Sequence, residues 1–431
     1  MDEEEALRRL LNNTVTDIPA TAALVRKSLH DGIRLRRRRR ARNAAGGMAI
    51  AAVAAVAIPL AAHTAGHAPT TTPTTGPTVT AGGTVYVANL ESSSVTPISA
   101  ATGKPGRPIK LGVSGNTFGM TLSPNGTQLY VMVWDGPSNY VVPVTVATNQ
   151  AGRPIKVGEA PGTVAFTPNG KTAYVANLDS ANVTPIDVAT GTASKPIKVG
   201  QRPFSVFFTP NGKTAYVLNQ KYGSQTSATI TPIDVATGQP SPAIAVGDAP
   251  GWAAMTPDGK TIYVVDEGAS ASAPGAVTPF STVTNTAGKP IKIGPGGTLI
   301  AITPNGKAAY VVTGDYSRNA SLTPISLSSG TAGPAIKLAG LQDGIVITSD
   351  SKTVYVAGGA GVTPVSTATN TAGPLIKTGQ DASAIALTPD GKTAYVSLGQ
   401  ANEVVPFSTA TGSVGTPVKV GRDPGAIVVA P

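Results

Sequence analysis

One motif recurs eight times between residue 82 and the end of the chain. Its clearest copy reads Pro161-Gly-Thr-Val-Ala-Phe-Thr-Pro-Asn-Gly-Lys-Thr-Ala-Tyr-Val-Ala-Asn177. The tyrosine falls at Tyr86, Tyr130, Tyr174, Tyr216, Tyr263, Tyr310, Tyr355 and Tyr395, in steps of 40 to 47 residues. A unit of that length cannot bury its own apolar face. Units of this kind must stack on one another, so repeated blades replace a single globular core.

Each unit divides into four extended pieces. In the unit around Tyr174 the first strand is Thr163–Thr167 and the second is Thr172–Asn177. Asn169-Gly170 between them tolerates positive φ and closes a tight hairpin. The third strand is Asn182–Asp187, and Ala189-Thr-Gly191 makes the next turn. The fourth is Lys195–Val199. Four short strands per repeat of this length predict an all-β propeller. Proline cannot donate to a ladder, so the prolines of the third and fourth strands are expected at strand ends or exposed edges. The region begins with a second strand at Gly83 and stops on a first strand at Gly425–Pro431. The last strand should therefore complete the blade that the first tyrosine strand opens. Eight blades are expected, with seven as the alternative.

The pattern Pro-x-x-Val-Ala-Phe-Thr-Pro-Asn-Gly-Lys-Thr-Ala-Tyr-Val-x-Asn resembles the YVTN-family β-propeller repeats of bacterial and archaeal cell-surface proteins. The resemblance spans 82–431 and is most specific in Pro161–Asn177 and Pro203–Asn219. It decays at Ile345–Lys352, which has neither the proline nor the glycine. The family implies a binding or surface scaffold and carries no catalytic set.

Residues 44–62 contain no charge, and nineteen helical residues span about 28 Å, close to a hydrocarbon core. Arg36, Arg37, Arg38, Arg39, Arg40 and Arg42 stand directly before them. The positive-inside rule predicts a single transmembrane helix, a cytoplasmic basic tail over 1–43 and an extracytoplasmic propeller. A cleaved signal peptide is the alternative, though the leading segment is long for one. Asp2–Asn12 and Pro19–Leu35 read as short helices of the tail. Residues 63–81 are Thr- and Pro-rich and read as a stiff, extended linker.

The net charge of +10 divides evenly. Residues 1–46 carry 11 Lys/Arg and 6 Asp/Glu, and the rest carry 22 and 17. Averaged in this way the repeat region is nearly neutral, and a nucleic-acid partner is not expected. Cysteine is absent, and His30, His63 and His67 all precede the repeats. The propeller therefore lacks the commonest general base and the commonest metal ligands. No cofactor or metal is expected.

Candidate sites come from irregularities. From the tyrosine to the third-strand proline, copies four to six are longest, at 16, 16 and 14 residues. Tyr222, Glu267, Tyr316 and Arg318 lie there, and Trp134 and Trp252 are added as neighbours of this binding rim. Trp252 reads equally well as core. Glu159, Asp248, Asp381 and Asp423 sit in loops leading to first strands, at the channel mouth, either as a cation or sugar site or as plain turn residues. Lys171, Lys213, Lys260, Lys307, Lys352 and Lys392 should ring the opposite face. The expected function is a membrane-anchored, non-enzymatic scaffold binding a cell-wall polymer, carbohydrate or protein. The alternatives are a lactonase-like sugar-acid hydrolase and a sensor coupling propeller to tail.

Overall fold

The computed structural model describes residues 83–431 apart from 136–137, 221–226, 248–249, 269–272, 315–319, 341 and 360. The expected tail, transmembrane helix and linker lie outside the described residues. Among those described, no helix is long and apolar enough to cross a membrane.

The described residues form eight antiparallel sheets, each ordered first, second, third and fourth strand. Blades 2 to 8 begin at Asn116, Pro161, Pro203, Pro250, Leu299, Gln342 and Ala382. Blade 1 begins at Thr84 and takes its first strand from Pro424–Ala430. First strands of successive blades pack side by side around the centre. Eight sheets dispose of the seven-bladed alternative.

The hairpin between first and second strands is built by the repeat itself. Gly170 has φ 67° and its N–H donates to Thr167 O at 2.8 Å. Asn169 Oδ1 accepts from Thr167 Oγ1 at 2.7 Å and from Lys171 N at 3.0 Å. Asp258, Asp350 and Asp390 accept the same pair of bonds in their blades. The threonine hydroxyl, then the lysine N–H, hold these carboxyls below their ordinary range. In the decayed copy Ser351 takes the glycine's place at φ 63°, so the turn survives with its backbone strain.

Alternation along the second strand joins the blades. Tyr86 and Ala88 pack into blade 2, whereas Val85 and Val87 pack into blade 8. The tyrosine then reaches the turn of the next blade. Tyr86 Oη donates to Asn149 Oδ1 at 2.6 Å, Tyr216 to Asn285 at 2.8 Å and Tyr310 to Asn370 at 2.7 Å. These asparagines have φ near 54° and stand where other blades place glycine. Asn tolerates that region, and its side chain adds a latch that glycine cannot.

The third-strand prolines depart from expectation. They sit inside an interior strand, opposite the tyrosine, as in Tyr174↔Pro185. The fourth strand is broken there: in blade 3 it runs Thr192–Ala193, then Ile197–Lys198. The missing N–H faces this break, so no ladder bond is lost. The proline carbonyl accepts across it, from Ser194 N at 2.8 Å in blade 3 and from Gly152 N at 2.7 Å in blade 2. The fourth-strand prolines, such as Pro196, lie in the break.

Closure follows the expected phase. Thr84 pairs with Ala430, Tyr86 with Val428 and Asn89 with Pro424. A chain ending at Asp423 should lose the sharp thermal transition of the full chain by circular dichroism; an unchanged midpoint would show that the ring holds without its last strand. Burial pushes Tyr86 and Tyr130 up to about 12 and raises the other six repeat tyrosines. A phenol raised on folding stabilises the fold below pH 10 and loses that contribution as pH climbs towards 12. Denaturant midpoints should therefore be flat from pH 7 to about 10 and fall steeply above it. Asn149→Ala, which removes one latch, should cost about 1 kcal/mol in the same assay.

Candidate functional site at the channel mouth

Two sets of loops share one face of the ring: those from second to third strand, and those carrying each fourth strand to the next first strand. Backbone bonds tie them together, as in Leu178 N to Ala160 O at 2.9 Å and Leu90 N to Asp423 O at 3.0 Å. The repeat asparagine clamps the second set. Asn89 Nδ2 donates to Ser94 and Thr96 hydroxyls, both at 3.0 Å, and its Oδ1 accepts from Gly421 N at 3.0 Å. Glycine is required opposite it: a Cβ at Gly158 would stand 2.7 Å from Asn177 Cγ, and one at Gly200 the same distance from Asn219 Cγ.

The residue just before the first strand turns left-handed: Ala160 at φ 51°, Arg202 at 49°, Asp381 at 58° and Asp423 at 51°. Asp381 and Asp423 thus hold a conformation that aspartate tolerates better than most residues. The remaining mouth candidate described, Glu159, is exposed, and its N–H is held by Ser180 Oγ at 2.7 Å. Asp248 lies outside the described residues. Among the described residues, no group of three His, Asp or Glu could hold a metal ion.

After the turn, the first strand bulges. In blade 3, Asn177 pairs with Pro161 and Ala176 with Thr163, leaving Gly162 unpaired. Phe118, Phe204, Gly251 and Asp343 occupy the same position in blades 2, 4, 5 and 7. A bulge re-aims its residue out of the ladder. The rim reading missed this row because pairing register is invisible in a repeat written as a line of letters.

The bulges decide where the tryptophans sit. Trp134 lies in blade 2 against Phe118, with ring centroids 4.8 Å apart. It is therefore remote in chain order from the long loops of blades 4 to 6. Its Nε1 is buried without a hydrogen-bond partner. Trp252 is buried, edge-on to Phe204 at 5.1 Å, and is a core residue. Glu267 is half-buried at the end of the blade 5 second strand, and its carboxylate lies over Gly251, where any Cβ would collide with it. Tyr222, Tyr316 and Arg318 lie outside the described residues.

The charges are not mixed evenly over the ring. Glu91, Glu159, Asp179, Asp266, Glu267, Asp343, Asp381, Glu403 and Asp423 belong to the mouth face; its described loop cations are Arg202 and Arg422, and Lys419 reaches Glu403 from the neighbouring outer strand. Arg202 pairs with Asp179 at 3.4 Å. The hairpin lysines lie exposed on the opposite face, three of them beside their own turn carboxylates at 3.8 to 4.0 Å. Most remaining cations lie on the fourth strands. The near-neutral average thus conceals an acidic mouth and a basic outer edge.

A groove of about 440 Å³ opens on the hairpin face between blades 5 and 6, bordered by Asp258, Tyr263, Lys307 and Ser328. It lies where Gly330 stands in place of the latching asparagine.

No protein-family model matches the chain, and no curated protein matches it in sequence. Solved structures do. A chain of Kuenenia stuttgartiensis hydrazine synthase is 23% identical, over 68% of this chain and 96% of that one, with a TM-score of 0.56. The dihydro-heme d1 dehydrogenase NirN is 15% identical over 80% and 75%, with a TM-score of 0.67. AztD from Citrobacter koseri is 12% identical over 81% and 97%, with a TM-score of 0.60. Identities this low establish a shared fold and nothing of activity.

Replacing Trp134 by Phe removes a buried donor that has no acceptor. Thermal stability should stay level or rise by up to about 1 kcal/mol, whereas Phe204→Ala should cost about 3 to 5 kcal/mol by chemical denaturation.

Proposed function

We propose that this protein is a membrane-anchored, extracytoplasmic β-propeller of the YVTN type that acts as a non-enzymatic binding scaffold, and that the mouth face is its binding surface. The observation that carries this reading is where the repeat is broken. On the hairpin face, the seven blades that close their first two strands by a hairpin spend their polar side chains on the same turn bonds. On the mouth face, the copies diverge into aromatic, acidic and glycine positions within one ring. Divergence on one face of a repeat fold is the usual mark of a recognition surface.

Attachment supports the same polarity. Gly83, where the described chain begins, bonds to Ala100 N at 3.0 Å, and the Pro431 ring lies 3.0 Å from the Cβ position of Gly126. Both ends belong to the hairpin face. A linker rising from a membrane would hold that face inward and the mouth outward. Catalysis is the weaker reading, because residues 83–431 contain no histidine or cysteine and the carboxylates are spread over separate blades.

The test is retention of the full-length chain on envelope material from its own cells. Shortening the loops Asn219–Thr229, Glu267–Ala276 and Gly314–Ser321 should reduce retention about tenfold, whereas Lys171→Ser with Lys213→Ser should leave it unchanged. Equal retention of all three proteins would remove the mouth face as the binding surface.

A further inference from the structure

The fourth strands form the outer edge of the ring, and their charge is of one sign. Lys104, Arg107 and Lys110 lie on blade 1, Arg153 and Lys156 on blade 2, and Lys195 and Lys198 on blade 3. All seven are exposed, and none of these outer segments contains a carboxylate. Their orientation is dictated by pairing. Ile109 and Ile155 are buried, so the lysine that follows each must point outward in a strand of period two. Lys110 stands opposite Ser94, Lys156 opposite Tyr140 and Lys198 opposite Asn182, so no acidic residue faces them across the sheet. Lys419 on blade 8 differs, because Glu403 neutralises it at 2.8 Å.

The arc has an end. Blade 4 carries Pro240-Ser-Pro-Ala-Ile-Ala-Val-Gly247 in this place, with no charge at all. Beyond this gap blade 5 carries an isolated pair, Lys289 and Lys292, both exposed, and blades 6 and 7 keep one cation each, Lys337 and Lys377. The outer strands of blades 1, 2 and 3 adjoin one another, so their seven cations make one continuous strip. Lysine on an edge strand also discourages pairing with other chains. That role alone would not leave blade 4, whose outer strand Ile244–Gly247 is among the longest, without charge. Nor would it gather seven cations on three neighbouring blades with no carboxylate across the sheet from the paired lysines.

We propose that the outer edge of blades 1 to 3 binds a linear polyanion whose repeating charges are carboxylates or phosphodiesters, such as an acidic wall glycan or a polyol phosphate. The strip suits a chain rather than a compact ligand. Arg107, in the break, and Lys110, on the strand, are three residues apart, about 10 Å of extended chain, and the pattern recurs in blades 2 and 3. The outer segments themselves carry no aromatic residue, and Tyr140 opposite Lys156 is the one aromatic partner among the three paired lysines; a row of stacking platforms is not present there, which favours a polymer without bases over a nucleic acid. This proposal rests on the scaffold reading but uses a different surface, so the two can fail separately.

The experiment measures binding of the full-length chain to poly(glycerol phosphate) and to polygalacturonate, with a DNA duplex and phosphatidylglycerol vesicles as further arms. The charge-reversed variant combines Lys110→Glu, Lys156→Glu and Lys198→Glu. The control combines Lys171→Glu, Lys213→Glu and Lys307→Glu, an equal change in net charge on the hairpin face. Both should keep the parent's thermal midpoint, since the six side chains are exposed. The outer-edge variant should lose about tenfold or more of its affinity for one or both polymers and show a shallower salt dependence, while the control stays within about twofold. Whichever polymer is bound identifies the source of the charge. Equal loss in both variants, binding to neither polymer, or binding to DNA or vesicles alone would overturn the proposal, and none of these would touch retention through the mouth face.

Discussion

Every blade of this protein depends on its neighbours because the second strand is apolar on both sides. Tyr86 and Ala88 need blade 2, and Val85 and Val87 need blade 8. A sheet with two apolar faces cannot stand at the end of a row. The ring solves this by having no end: Pro424–Ala430 pairs with Thr84–Asn89, and the bonds of Asn89 and Leu90 to Gly421 and Asp423 reinforce that closure. The tyrosine serves this joint twice. Its ring fills the space between blades, and in three blades its hydroxyl fastens to an asparagine in the next turn.

The polar features of the repeat serve the same end. The turn asparagines and aspartates saturate the hairpin N–H groups, the strand-end asparagine clamps the incoming loop, and the third-strand proline faces a break where its missing donor has no partner to lose. These are demands of backbone accounting, met at the same place in successive copies. What is free to vary is what the backbone does not need: the bulge residue, the loop beyond Asn89 and its equivalents, and the outward side chains of the fourth strand. The candidate surfaces consist of these positions.

Charge shows how the fold sorts residues that composition averages. The repeat region carries 22 cations against 17 anions, a small excess for its size. The lysine after each fourth-strand isoleucine lands on the outer edge, whereas most carboxylates sit in loops at the mouth. Two regions of opposite sign result on one nearly neutral ring, and their fields act over roughly a Debye length of about 8 to 10 Å rather than over the whole molecule.

Much of the architecture was legible in the chain because the motif is periodic and local. The Asn-Gly turns, the alternation around each tyrosine and the phase of the first and last copies are properties of short segments, and eight copies and ring closure follow from counting them. The interior place of the third-strand proline was not legible, since it depends on where a different strand breaks. Nor was the bulge row, because Phe118, Gly162, Phe204 and Asp343 share a position only through pairing register, which a long-range partner sets. Trp252 could be read either way until Phe204 was seen against it. By itself the sequence determined the repeat unit, strand order and the face on which each turn lies, all consequences of local backbone preference and period, and it favoured eight blades over seven. Only the tertiary structure decided which side chains become neighbours across blades, and hence that the acids gather at the mouth and the cations at the edge, because those distances are set by packing between segments some forty residues apart.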